Sequence, residues 1–181
     1  DAFGNIEKVI SRPMKKVFVV EDDETMRESI KELVDDKDVV STSIESGKEA
    51  LELLSEEHFD CMILDLGLND MSGFELLQKL EKVDHTSEMP IIVYTGKELS
   101  REEEETLRKY SDRIIIKGVK SPERLLSETT LFLHSVESDL PASKQKMLNN
   151  LHPKEDVMID KKILIVDDDM RNVYALTNLL E

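Results

Sequence analysis

From residue 15 onward, short apolar runs alternate with stretches whose apolar residues recur every three or four positions. The runs predict strands at 17–20, near 39–43, and at 61–66, 90–95 and 113–117. Between them a 3.6-residue period predicts helices. One covers 25–35, with Met26, Ile30, Leu33 and Val34 on one face, and a second carries Ala50, Leu51 and Leu54. A third opens at Gly73 with Phe74, Leu77 and Leu80 inward, and a fourth runs from about 100 to 111. The last starts with Ser121 as N-cap, Pro122 in the first turn and Glu123 behind it. The run at 61–66 is apolar on both faces, as a buried central parallel strand is. Five strands alternating with five helices imply an α/β fold, a doubly wound five-stranded parallel sheet with helices on both faces.

The same pattern divides the chain. Residues 1–13 have no periodicity and read as a leader or linker; the alternating module fills 14–138. Residues 139–160 read as a linker with a short helix from 141 to about 150. Then the beginning recurs: KKVFVVEDDETMRESIKELVD at 15–35 aligns without a gap on KKILIVDDDMRNVYALTNLLE at 161–181. Residues 161–181 are therefore expected to be the first strand and helix of a second, truncated copy. Its strand at 163–166 has no sheet of its own and is an aggregation hazard if exposed. The segment is expected to borrow contacts, either at a sheet edge or against a second chain in a swapped homodimer.

Composition narrows the classes. A net charge of −16, with lysines and arginines scattered among acids, argues against nucleic acid. No apolar run approaches the roughly 20 residues that span a bilayer, and no signal-peptide pattern is visible. The single cysteine, Cys61, allows no internal disulfide, which fits a reducing cytoplasm.

Ligands of open parallel sheets bind beyond the carboxyl ends of the strands. Here the first strand ends in Glu21, Asp22 and Asp23, the third in Asp65, the fourth in Thr95 and the fifth in Lys117. Crowded carboxylates raise one another's pKa unless a cation neutralises them. An all-oxygen set suits Mg²⁺ or Mn²⁺, which accept few protein carboxylates plus a phosphate. Lysine adds a second positive charge and threonine a hydrogen-bond donor. Such a rim would hold a phosphoryl group, and Asp65, mid-sheet, is the natural nucleophile.

Four motifs in order, VVEDD at 19–23, DCMILDLGLNDMSG at 60–73, IIVYTG at 91–96 and IIIKG at 114–118, resemble the receiver (response-regulator) domain of two-component signalling. The resemblance covers about 14–138 and implies a flavodoxin-like receiver fold. It implies that Asp65 accepts a phosphoryl group from the phosphohistidine of a histidine kinase or histidine phosphotransfer domain. Asp22, Asp65 and the Gly67 carbonyl would hold Mg²⁺, Glu21 would act largely through water, and Thr95 and Lys117 would contact the phosphoryl oxygens. The second copy, IVDDDMRN, looks like receivers of multi-receiver hybrid histidine kinases, with Asp167 and Asp168 matching Glu21 and Asp22 as an incomplete site. Neighbouring receivers of the parent chain are then expected partners.

Three positions depart from the family. Gly118 follows Lys117 where a proline in a cis bond is usual, and a cis non-proline bond costs about 2.5–4 kcal/mol, so a different or strained backbone is expected there. Asn69 stands where proline is common, and Ile114 occupies the usual aromatic switch position. An aromatic ring turning toward Thr95 is therefore not the expected output.

Other readings are weaker. The acids after the first strand replace the glycines a dinucleotide fold needs, and Gly47-Lys48 and Gly96-Lys97 lack the rest of a P-loop. Gly67 stands where a haloacid-dehalogenase phosphatase needs its second aspartate, and no acid cluster has the glycine and distal glutamate of an EF-hand. The four histidines show no metal-ligand spacing, and the acidic run at 102–105 reads as a solvated helix face. No kinase ATP-binding motif is present, and self-hydrolysis of an acyl phosphate is the limited catalysis expected. The rival in a different class is a receiver-fold scaffold that docks partners unphosphorylated.

Overall fold

A computed structural model describes residues 14–151 apart from 84, 85, 88 and 134–139. The segments at 1–13 and 152–181, with Asp167, Asp168 and the expected swapped dimer, lie outside the described residues.

Five strands, β1 (Lys15–Val20), β2 (Val39–Ile44), β3 (Cys61–Leu64), β4 (Ile91–Thr95) and β5 (Arg113–Ile116), pair in the order β2-β1-β3-β4-β5, all parallel. The helices are α1 (Glu24–Val34), α2 (Gly47–Glu56), α3 (Gly73–Leu80), α4 (Arg101–Leu107), α5 (Ser121–Phe132) and α6 (Ala142–Leu151). Strand alternation sorts the core into two layers. Val17, Val19, Cys61, Ile63, Ile92, Tyr94 and Ile115 pack with Ile30 and Val34 of α1 and Leu125 of α5. Phe18, Val20, Met62, Leu64 and Val93 face the opposite layer of α2, α3 and α4, through Ala50, Leu54, Leu76, Leu77 and Leu107.

Helix starts follow local chemistry. Asp23 accepts the Met26 N–H at 2.7 Å, Ser46 caps α2, Ser72 caps α3, and Ser100 with Glu103 forms a reciprocal capping box on α4. In the acidic run of α4, Glu103 is spent on that box, and Glu104 and Glu105 on the i,i+4 pairs Arg108–Glu104 and Arg101–Glu105. One start differs from expectation. Lys120, not Ser121, is the N-cap of α5, and it makes no side-chain cap bond. Ser121 is the first helical residue because its hydroxyl is engaged elsewhere, with Gly118 and Tyr94.

Two further differences concern ends. β3 stops at Leu64, two residues before the apolar run does, because Leu66 turns into the loop and accepts the Gly73 N–H. The short helix expected near 141–150 forms as α6, ending at Leu151, and it packs on α5. Leu148 and Lys144 are buried on its inner face, where the Lys144 ammonium donates to the Asp35 carbonyl at the end of α1.

Candidate functional site

Register alone brings the first two acids together. β1 and β3 pair Val20 with Leu64, so Glu21 and Asp65 are the next residues on adjacent strands. The Asp65 N–H continues that ladder to the Val20 carbonyl at 2.9 Å, and the Glu21 N–H bonds the Ile44 carbonyl of β2. Carboxylate oxygens of Glu21, Asp22 and Asp65 all lie within 4.8 Å of one another. Asp23, the fourth acid of the sequence reading, is committed to capping α1.

Across the sheet, β4 pairs with β5 through Thr95 and Ile116, and Lys117 follows with its N–H on the Thr95 carbonyl. Its ammonium reaches back over the rim to Glu21 Oε2 at 2.8 Å and stands 3.5 Å from Asp65 Oδ1. It also lies 5.6 Å from the centroid of the Tyr94 ring, a cation–π distance. Thr95 is buried; its hydroxyl oxygen accepts the Lys97 N–H, which leaves the hydroxyl proton to donate. Asp65 itself is asymmetric. Oδ2 accepts the Gly67 N–H at 3.3 Å, whereas Oδ1 is buried and has no hydrogen bond.

Burial shapes the electrostatics. Desolvation pushes the Glu21 carboxyl above its ordinary range and the negative charge of Asp65 pushes the same way, while Lys117 opposes both. Two buried acids and a half-buried third, with one ammonium, are short of positive charge, and oxygen-only donors suit a hard divalent cation. The orphaned Asp65 Oδ1 is the kind of buried atom that needs an explanation. A cation of the Mg²⁺ type fits the donors present.

Three supporting residues, Arg27, Asp70 and Tyr94, were not singled out from the sequence, and a fourth, Ser121, was read there only as a helix cap. The Arg27 guanidinium donates 2.8 Å bonds to the carbonyls of both Glu21 and Asp22, bracing the acidic loop from its backbone side. Asp70 accepts the N–H groups of Gly47 and Lys48, each at 2.9 Å, tying the loop after Asp65 to the start of α2. Those bonds hold the Asp70 carboxyl below its usual range. Tyr94 and Ser121 share a buried 2.9 Å hydrogen bond. Arg27 bonds carbonyls five and six residues before it, whereas the Asp70 and Tyr94–Ser121 contacts join segments more than 20 residues apart. Gly73 closes the same loop. A Cβ there would stand 2.7 Å from Leu66 Cα and 2.9 Å from the Asp65 carbonyl oxygen, so only glycine lets α3 start this close to the acid.

Comparison with known proteins agrees with this geometry. The chain is 29% identical over 105 residues to the two-component response regulator ORR5 of Oryza sativa subsp. japonica, covering 58% of this chain and 78% of that protein. It is 26% identical over 160 residues to the transcriptional regulatory protein SrrA of Staphylococcus aureus, covering 88% of this chain and 62% of that one. Among solved structures, the CheY-like receiver domain protein of Methanospirillum hungatei JF-1 superimposes with a TM-score of 0.59 at 29% identity, covering 67% of this chain and 94% of that one. Residues 17–129 match the response regulator receiver domain family. With more than half its length so matched and the fold and acidic rim in place, the chain belongs to the response regulator receiver domains of two-component signalling.

Proposed function

We propose that this receiver takes a phosphoryl group onto Asp65 from a phosphohistidine, as one step of a phosphorelay in a hybrid sensor histidine kinase. The observation that carries the reading is Asp65 Oδ1, a buried carboxylate oxygen without a hydrogen bond, 3.5 Å from the Lys117 ammonium. A carboxylate oxygen of Asp65 attacks phosphorus. The P–N bond breaks, and its electron pair goes to the ring nitrogen of a donor imidazole that keeps a proton on its other nitrogen, so the donor leaves neutral. Lys117 follows the negative charge as it spreads over the phosphoryl oxygens, and the Thr95 hydroxyl donates to one of them. Glu21, Asp22, Asp65 and the Gly67 carbonyl are the groups that would hold Mg²⁺ or Mn²⁺, which supplies charge neutralisation at the phosphoryl oxygens when bound.

The donor is a histidine kinase or a histidine phosphotransfer domain. The repeat at 161–181, with Asp167 and Asp168 in place of Glu21 and Asp22, supports a parent with receivers in series. Among the described residues no helix is long and apolar enough to cross a membrane, and the proposed location is the cytoplasm.

Intact mass spectrometry after incubation with Mg²⁺ and acetyl phosphate tests the reading. The expected result is one added phosphate, lost in Asp65→Asn and after chelation. No adduct, or one that survives Asp65→Asn, would favour the unphosphorylated scaffold instead.

A further inference from the structure

The family ordinarily fixes the turn after its lysine with a proline, and this chain has Gly118 there. The turn is nonetheless tied down. The Gly118 N–H donates to Ser121 Oγ at 2.9 Å, Ser121 Oγ donates to the Gly118 carbonyl at 2.8 Å, and the Ser121 N–H reaches the same carbonyl at 3.0 Å. A proline at 118 would have no N–H to give.

The proton directions follow from satisfaction. A serine hydroxyl has one proton and two lone pairs. With its proton on the Gly118 carbonyl, Ser121 Oγ accepts from the Gly118 N–H and from the Tyr94 O–H, which lies 2.9 Å away. The reverse arrangement would strand the Tyr94 proton in a buried site. The chain of donation is therefore Tyr94 to Ser121 to Gly118, and every capacity of the serine is used.

This network bears on Lys117 because of where its two ends lie. The Lys117 N–H is bonded to the Thr95 carbonyl at 2.8 Å, and the next amide, Gly118, is bonded through Ser121 to Tyr94. Both peptide groups flanking the lysine thus lead back to neighbouring residues of β4. The beginning of the side chain that carries the ammonium is fixed relative to Thr95. Beyond the turn, Val119 is 97% exposed and contributes no packing to hold it.

We propose that Ser121, oriented by the Tyr94 hydroxyl, is a positioning residue for phosphoryl transfer that sets the reach of Lys117 relative to Thr95. The inference rests on the phosphoacceptor reading above. Neither hydroxyl touches the carboxylates that would hold the cation, so the effect should fall on the transfer step and spare metal binding.

The test uses the full 181-residue chain with Ser121→Ala, Ser121→Thr and Tyr94→Phe, each checked for folding by circular dichroism. Acetyl phosphate is the donor. The readouts are the phosphorylation rate at saturating donor and Mg²⁺, the half-saturating Mg²⁺ concentration, and hydrogen exchange at the Gly118 amide. Ser121→Ala is expected to lower the saturated rate by about tenfold to a hundredfold, the scale of an ångström-sized misplacement. Its half-saturating Mg²⁺ should stay within about twofold, with faster exchange at Gly118. Ser121→Thr should restore most of the rate, and Tyr94→Phe should lower it by a smaller factor. If Ser121→Ala does not fold, Tyr94→Phe carries the same comparison. A Ser121→Ala rate within about twofold of wild type overturns the inference, as does a rate loss matched by weakened Mg²⁺ binding and unrescued by threonine. A wild type that takes no phosphate overturns the acceptor reading and this inference with it.

Discussion

Lys117 and Lys144 both bury most of their side chains, yet they are held in opposite ways. Lys117 ends the sheet and points its ammonium at Glu21 and Asp65. Lys144, 9% exposed, sits on α6 and donates to the backbone carbonyl of Asp35 at the end of α1. Burial pushes the Lys144 ammonium below its ordinary pKa, and the nearby charges of Asp36 and Asp35 only partly offset that. The partners of Lys117 are side chains whose charge a cation or a phosphoryl group would alter. The partner of Lys144 is a carbonyl that nothing alters. One lysine can change allegiance, while the other works as a staple between α6 and α1, helped by the negative end of the helix dipole.

Removing each lysine in turn tests this contrast. Lys117→Met leaves Glu21 and Asp65 facing each other without a cation. We expect a loss of about 3 kcal/mol in metal-free urea unfolding at neutral pH, in the range for breaking a buried ion pair, with most of it restored by millimolar Mg²⁺. Lys144→Met should cost about 1–2 kcal/mol by loss of a charged hydrogen bond, with no recovery on adding Mg²⁺. Equal responses to Mg²⁺ would erase the distinction.

The two sites should also differ in pH dependence. Lys144 has a folded pKa below its ordinary value of 10.5. Between the two values the unfolded chain holds a proton that the folded chain has shed, so stability rises with pH across that window. Lys144→Met should flatten this rise. Glu21 has a folded pKa above 4.5. There the folded chain holds the extra proton, so metal-free stability falls as pH climbs from 4.5 through the raised value, and Glu21→Gln should remove that fall. Denaturant titrations along a pH series read both slopes. The smallest effect is expected beside Lys117 itself. A Cβ at Gly118 would meet only the Ile116 carbonyl oxygen, at 4.0 Å, so Gly118→Ala should change stability by less than about 0.5 kcal/mol. A large loss would mean that the freedom of glycine, and not the serine hydroxyl, shapes the turn.

Sequence reading went furthest where one rule sufficed. Apolar runs located the strands, and the rule that ligands sit beyond their carboxyl ends brought Glu21, Asp22, Asp65, Thr95 and Lys117 to one rim. It failed where a side chain took partners that no local pattern announces. Ser-Pro-Glu at 121–123 carries every local sign of a helix cap, but Gly118 and Tyr94 of β4 claim the hydroxyl. Arg27 reads as a surface residue of an amphipathic helix, and its bonds to two carbonyls appear only once the acidic loop has its shape. The inner face of α6 was obscure for a related reason: burying a lysine runs against pattern rules, and the carbonyl that makes it tolerable lies at the far end of α1. At Ile114, the departure from an aromatic residue was plain in the sequence, and the side chain packs against the core on the α2–α4 side of the sheet.

The Arg27 clamp has a consequence for cation binding. Because its guanidinium already fixes the carbonyls of Glu21 and Asp22, the acidic loop has its shape before a cation arrives. An ion held there would then have little backbone to order, so less of its binding free energy would go into shaping the site. On the proposed function, a receiver built this way would keep its cation site shaped between encounters with its phosphate donor.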